Sequence, residues 1–323
     1  MGKYLTVKLL SAIPVLLGVS FITFALIRLI PGDPIQVMLG PEVQGTRADE
    51  IRHLYGLDRP WPVQYVEWLF NALQGNLGTS IRSGLPVSNS IFEKIPITLE
   101  LTFLSLAIGL LIGLPLSVLA AQKRGKLTDG FLTTVALLGI SMPGFWLATL
   151  LVLLFSLYLR WLPTIGYVGF FENPWDNLSH LILPAVSLGL AFGATIMRFT
   201  RSSLLEVFNQ DYMRTARAKG LSRAKVTYTH GLKNALIPVI TVTGIQVGRL
   251  LGGAVIVEQI FTLPGLGRYT FDAISTRDYP VIQGTVLVFT LVFILVNLLV
   301  DIIYGLVDPR IKLSEDGAGR QKA

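Results

Sequence analysis

Cysteine is absent from this 323-residue chain, which excludes disulfides, thiolate metal sites and a cysteine nucleophile and leaves the redox compartment open. Histidine is nearly absent. His53, His180 and His230 lie far apart in separate loops, whereas a zinc site needs several clustered ligands, so no metal site is expected and His53 and His180 read as solvated loop residues. There is no Gly-x-x-x-x-Gly-Lys-Ser/Thr phosphate loop, because Gly2-Lys3 and Gly125-Lys126 are followed by Tyr4 and Leu127. His-Glu-x-x-His and Gly-x-Ser-x-Gly are missing as well. No catalytic residue is therefore assigned, and no cofactor is expected on this chain.

Charge is also scarce. Only 15% of the residues are Asp, Glu, Lys or Arg, against roughly 25% in an ordinary soluble domain, while 52% are hydrophobic. Water cannot be the solvent for so much apolar surface, and the alternative is lipid. The net charge of +7 does not point to nucleic acid, because most of the 27 Lys and Arg fall in the loops of one side.

Six apolar stretches are long enough to cross a hydrocarbon core, which takes about 20 helical residues. They lie at about 9–30, 98–121, 132–159, 181–199, 236–257 and 281–307. Pro14, Pro115, Pro143 and Pro184 interrupt them, which is tolerable where neighbouring groups satisfy the freed carbonyls. The expected fold is all-α, a polytopic membrane domain over 9–307. Lys3 and Lys8, the Lys123–Lys126 loop, the run from Arg198 to Lys233, and Arg310 to Lys322 all belong to one side. The positive-inside rule makes that side cytoplasmic, with both termini (1–8 and the tail 308–323) on it. The first span reads as a retained helix rather than a cleaved signal: its apolar run is too long, and Pro31-Gly32-Asp33-Pro34 follows instead of a small-residue cleavage site. The external loop 31–97 contains turn signals at Gly56 and at Gly75–Gly78, with an aromatic stretch at 62–73 suited to an amphipathic surface helix.

The segment 200–235 is the most informative. Within it, Asp211 to Leu221 reads as a short helix with Asp211 as its N-cap, Arg217 and Lys219 at the end that favours cations, and Gly220 in the left-handed conformation that stops it. Ser222 caps a second helix that runs towards the fifth span. A short rigid helix between two spans is suited to transmit force; a basic loop that merely fixes topology is the other reading of the same residues.

This segment resembles the cytoplasmic signature of ATP-binding-cassette (ABC) importer permeases, Glu-Ala-Ala followed, after three intervening residues, by Gly. Ala216 and Gly220 match, Arg214 and Thr215 replace the first two positions, and Leu232-Lys233 stands at the usual Leu-Pro. The form Arg214-Thr215-Ala216-Arg217-Ala218-Lys219-Gly220 is similar to the dipeptide/oligopeptide branch, whose relatives also handle glutathione or nickel complexes. Leu29–Pro34, Gly56–Pro60, Pro96–Leu101, Pro264–Arg268 and Arg277–Pro280 carry the same resemblance in the same order. It implies a type I importer permease of the bacterial inner membrane, the first of two related permeases, working with a second homologous permease, two ATPase subunits that bind ATP and Mg, and an extracytoplasmic solute-binding protein. It also implies that Tyr212, Arg214, Thr215, Ala216, Arg217, Lys219, Gly220 and Leu221 form the helix that docks on the ATPase.

In the fifth span Gly244, Gly248 and Gly252 recur every four residues near one face, which suits either close static packing or a helix bordering the pore. Gln246 and Arg249 in the same span make them candidates for the translocation path; Arg249 could offer a cation to a peptide carboxylate, snorkel, or pair with an acid of a partner. An ion-coupled secondary transporter is the alternative. It calls for inverted repeats and an intramembrane carboxylate pair, and the two halves show neither.

Overall fold

The structure is a computed structural model that describes residues 2–29, 49–50, 52–53, 56 and 58–307. The Pro31–Pro34 motif, much of the segment between it and Trp61, and the tail 308–323 lie outside the described residues. The chain divides into two compact units: Gly2–Leu99 with Thr262–Ile294, and Glu100–Phe261 with the described residues from Leu295 onward. Among the described residues there is no strand, only an isolated bridge between Thr79 and Pro86.

In the first unit, α1 (Gly2–Leu29) is followed by α2 (Trp61–Leu73). Pro60, in an extended conformation, precedes α2, and Pro62 falls in its first turn, where a missing N–H costs nothing. Tyr65 joins the two helices: its ring meets Phe21 and Phe24 edge-on, and its hydroxyl lies 2.9 Å from Ser20 Oγ. Arg28 donates to Gln64 Oε1 at 2.6 Å and stacks over Phe24. The outer face of α2 exposes Trp61, Val66, Phe70 and Leu73. That arrangement suits a helix lying in a membrane interface.

The same unit contains the start of α3 (Val87–Gln122), α9 (Leu266–Thr276) and the start of α10 (Tyr279–Val307). Leu77, Val87, Ile91, Leu266, Ala273, Tyr279, Val281 and Ile282 form its apolar core. The first N–H of α9, on Leu266, is satisfied by Thr98 Oγ1 at 2.8 Å. Buried Asp278 accepts from Ser80 Oγ at 2.6 Å and from the N–H groups of Ile81 and Arg82, so it organises the turn that precedes α3.

The second unit is built around α6 (Pro174–Phe208), whose apolar stretch is 61% buried, more than that of any other candidate span among the described residues. Asn173 caps α6 by accepting from Asp176 N, and Pro174 opens it. α3 and α6 touch through glycine: a Cβ on Gly113 would lie 2.5 Å from Gly193 O, and one on Gly109 would lie 2.8 Å from Gly189 O. The four-residue spacings Gly109/Gly113 and Gly189/Gly193 are thus the two sides of one contact.

The third apolar stretch departs from a single straight span. α4 (Leu127–Ser141) and α5 (Gly144–Tyr158) meet at a 100° bend. Met142 is extended, and Pro143 precedes α5 without continuing the α4 hydrogen bonds. α5 ends in a π-helical segment, Val152–Tyr158. Among the described residues, five helices are long and apolar enough to cross a membrane, or six if the bent pair makes one span. The helices also outrun the apolar stretches read from sequence. α3 begins at Val87, α6 runs from Pro174, and Arg223–Ile260 (α8) is one long helix with a π-helical segment at Val226–Leu232.

Candidate functional site

Between α6 and α8 lies α7 (Asp211–Ala218). Gln210, extended at φ −72° and ψ 149°, is its N-cap residue and makes no side-chain cap, so Asp211 is not the cap but the first helical residue, where its charge still favours the N-terminal dipole. Arg217 is in the last turn, and Lys219 is the C-terminal cap residue. Gly220 has φ +77° with nothing near its missing Cβ, so the requirement there is conformational rather than steric. Ser222 Oγ accepts from Lys225 N at 3.3 Å and starts α8.

The two faces of α7 differ. Met213 and Ala216 are buried and pack on Val207 and Phe208 of α6 and Val226 of α8, with half-buried Leu221 beside them. Tyr212, Arg214, Thr215, Arg217, Lys219 and Gly220 are exposed. Of the candidate docking residues, Ala216 therefore faces inward as packing. Asn234 Nδ2 donates to the Tyr212 hydroxyl at 3.1 Å, a second tie from α7 to α8. The Arg214–Asp211 pair, 3.5 Å apart and exposed on both sides, adds little.

Gly231 was not singled out by the sequence, yet it allows this packing. A Cβ there would lie 2.8 Å from Phe208 Cε1 and 3.5 Å from Met213 Cε. It sits in the π-helical segment, a local form often found at functional sites. The glycine within a basic, otherwise helical run was the available signal.

In the same unit, Gln246 and Arg249 line a cavity of about 220 Å³ together with Ser187 and Thr195 of α6 and Ile140 of α4. Gln246 is buried and Arg249 exposed. The glycine series does not share one environment. Gly244 is pressed against Val300 of α10, where a Cβ would come within 2.7 Å; Gly248 is half-buried; Gly252 is exposed with nothing within 4 Å. Gly253, not Gly252, approaches Leu188 of α6.

Of the two histidines expected to be solvated, His53 is exposed, and His180 is not a loop residue but part of a helix. His180 is a half-buried residue of α6 whose Nδ1 lies 2.8 Å from Asp176 O. His53 lies exposed, 2.8 Å from Asp58. Among the described residues no three His, Asp or Glu side chains gather as metal ligands. Glu100 lies inside α3 and accepts from the Tyr167 hydroxyl at 2.8 Å.

A polytopic helical chain with a short two-faced helix clamped between two spans defines the class, a membrane-embedded transport subunit. The family model "Binding-protein-dependent transport system inner membrane component" matches residues 113–313, and its N-terminal companion matches residues 1–102. The chain belongs to that family. It is 42% identical to the oligopeptide transport system permease protein AppB of Bacillus subtilis over 97% of this chain and 100% of that protein. It is 46% identical to the di/tripeptide transport system permease protein DppB of Pseudomonas aeruginosa over 97% and 99%. Identity to the glutathione transport system permease protein GsiC of Salmonella paratyphi A is 44%, again over 97% and 99%. An inward-facing crystal form of the MetNI methionine ABC transporter matches the fold with a TM-score of 0.56 at 21% identity, covering 68% of this chain and 96% of that one. The fold is that of a type I ABC importer permease. The chain is a multi-pass inner-membrane permease subunit, not an enzyme, and family membership displaces the ion-coupled alternative.

Proposed function

We propose that this permease forms half of the translocation path for di- or oligopeptides, or the related glutathione, and that α7 is the helix through which ATPase subunits drive it. The peptide class follows from relatives of matching length that are permeases of oligopeptide, di/tripeptide and glutathione transport systems. The observation that carries the coupling role is the two-faced geometry of α7. Exposed Tyr212, Arg214, Thr215, Arg217 and Lys219 offer a docking face, while Met213, Ala216 and Leu221 transfer any displacement to α6 and the π-helical start of α8.

In this reading two ATPases bind ATP and Mg, close on each other, and pull α7; α8 then shifts, and the cavity at Gln246 and Arg249 changes access. Gly244 supports the movement by allowing α8 to approach α10 closely, while Gly252, with nothing within 4 Å of its missing Cβ, leaves a slim surface for a partner helix. Arg249 supplies a cation for a peptide carboxylate. A second homologous permease completes the path, and an external binding protein delivers the solute. The basic loops, α7 and both termini face the cytoplasm.

The test is purification of the tagged full-length chain from its native membranes in mild detergent. A second permease and ATPases with phosphate-loop motifs are expected with it, and a peptide-loaded binding protein should stimulate their ATP hydrolysis. A chain that emerges alone under several mild conditions and still moves solute into liposomes without ATP overturns the reading.

A further inference from the structure

From the cavity beside α7 we infer that this permease carries a site for an anionic phospholipid headgroup on the face that bears its basic loops. The cavity has a volume of about 710 Å³, within the roughly 300–1,000 Å³ typical of small-molecule sites. Lys123, Lys126, Arg217 and Arg223 line it, and no acidic residue does. Among the described residues none of these four makes an ion pair. Four unneutralised cations around one cavity repel one another, and an anion in the middle removes that cost.

Depth selects the kind of anion. The lining comes from the ends of three apolar helices: Ala121 and Gln122 close α3, Phe208 closes α6, and Arg223 and Val226 open α8. Helix ends of this kind lie at the level of lipid headgroups. The wall is also mixed, with Phe208, Val226, Ala121 and Leu221 beside the cations. A phosphodiester carrying an acyl chain satisfies both surfaces, whereas inorganic phosphate satisfies the cations alone. Basic pockets between spans on the cytoplasmic side are a recurrent form of headgroup site. Because Arg217 and Leu221 flank the C-terminus of α7, an occupied site would also brace that helix, although lipid binding itself does not depend on the coupling role proposed above.

The experiment uses the complete importer, purified with its partners and titrated with phosphatidylglycerol or phosphatidylcholine while bound lipid is counted by native mass spectrometry. Wild type should retain phosphatidylglycerol at least about tenfold more tightly than phosphatidylcholine, and added salt should weaken that preference. The triple variant K123Q/K126Q/R223Q should lose the preference, while Arg124→Gln, in the same loop but off the cavity wall, should keep it. If the triple variant does not assemble, Lys126→Gln alone should lower the preference severalfold. Equal binding of the two lipids, or an equal loss in Arg124→Gln, overturns the site. Two further results also overturn it: pyrophosphate displacing the signal with no lipid dependence, which assigns the cavity to a free anion, and lipid binding only to the isolated permease, which assigns it to carboxylates of the ATPase.

Discussion

Arg201 grips Asp129 in a two-pronged ion pair, Nε to Oδ1 at 2.6 Å and Nη2 to Oδ2 at 2.8 Å. Asp129 is 5% exposed and also accepts from Gly125 N at 3.0 Å and from Thr133 Oγ1 at 3.5 Å. The carboxylate thereby fixes the start of α4 and the turn before it to the C-terminal part of α6, the most buried helix of its unit.

Breaking that pair from one side leaves the other charge stranded. Arg201→Met or Asp129→Asn should each destabilise the complex by about 1.5–3 kcal/mol, the range for a lost hydrogen bond to a charged group, because Arg201 keeps 24% of its side chain exposed. Replacing both, as Arg201→Met with Asp129→Leu, should recover most of the loss. Thermal unfolding of the purified complex reads this directly, and single variants that melt with wild type would refute the buried-pair account.

At Gly220 the left-handed backbone costs a side chain roughly 1–2 kcal/mol. Gly220→Val should strain the end of α7 and leave ATP hydrolysis running without peptide uptake, whereas Gly220→Asn, which tolerates that conformation, should retain much of the coupling. The check is the ratio of uptake to hydrolysis in proteoliposomes. Normal uptake by Gly220→Val would remove α7 from the mechanism.

Gly231 is limited by space instead. Gly231→Val should force Phe208 aside at an overpacking cost of about 1–3 kcal/mol and reduce coupled transport. Phe208→Ala in the same chain should restore part of it. No rescue would mean that the π-helical segment, rather than the Phe208 contact, is what Gly231 serves.

Tyr167 lies in the segment between α5 and α6. Burial, reinforced by its hydrogen bond to Glu100, pushes its phenol up to about 12. A folded value above the unfolded one means that the bonded phenol stabilises the fold below about pH 10 and loses that contribution as pH rises from about 10 towards 12. The difference in tyrosinate absorbance between wild type and Tyr167→Phe isolates this group, and Glu100→Gln should shift its titration downwards. A Tyr167 that titrates like a free tyrosine would break the link to Glu100.

Much of the fold was legible because lipid imposes a simple rule on sequence. Long apolar runs, basic loops and the punctuation at Gly220 and Ser222 each follow from local chemistry, and Gly220 and Ser222 do take the left-handed and capping roles. The misreadings have physical causes. Asp211 was a plausible cap, but Gln210 occupies that position, since one residue of frame decides a cap and sequence spacing leaves that frame open. Pro143 was compatible with a continuous span, and the bend arises from how α4 and α5 each pack on α6. The Gly244–Gly252 series reads as one stripe, yet Gly244 is pressed against Val300 of α10 while Gly252 has nothing within 4 Å of its missing Cβ.

The sequence by itself determined the class of solvent, the segments able to cross it and the short helix between two of them, because hydropathy and helix capping act over a few neighbouring residues. Tertiary structure alone decided that Gly109 and Gly113 meet Gly189 and Gly193, that Arg201 finds Asp129, and that Met213 and Ala216 lock α7 onto α6 and α8. Those are contacts between residues far apart in the chain, and their partners are chosen by packing in three dimensions.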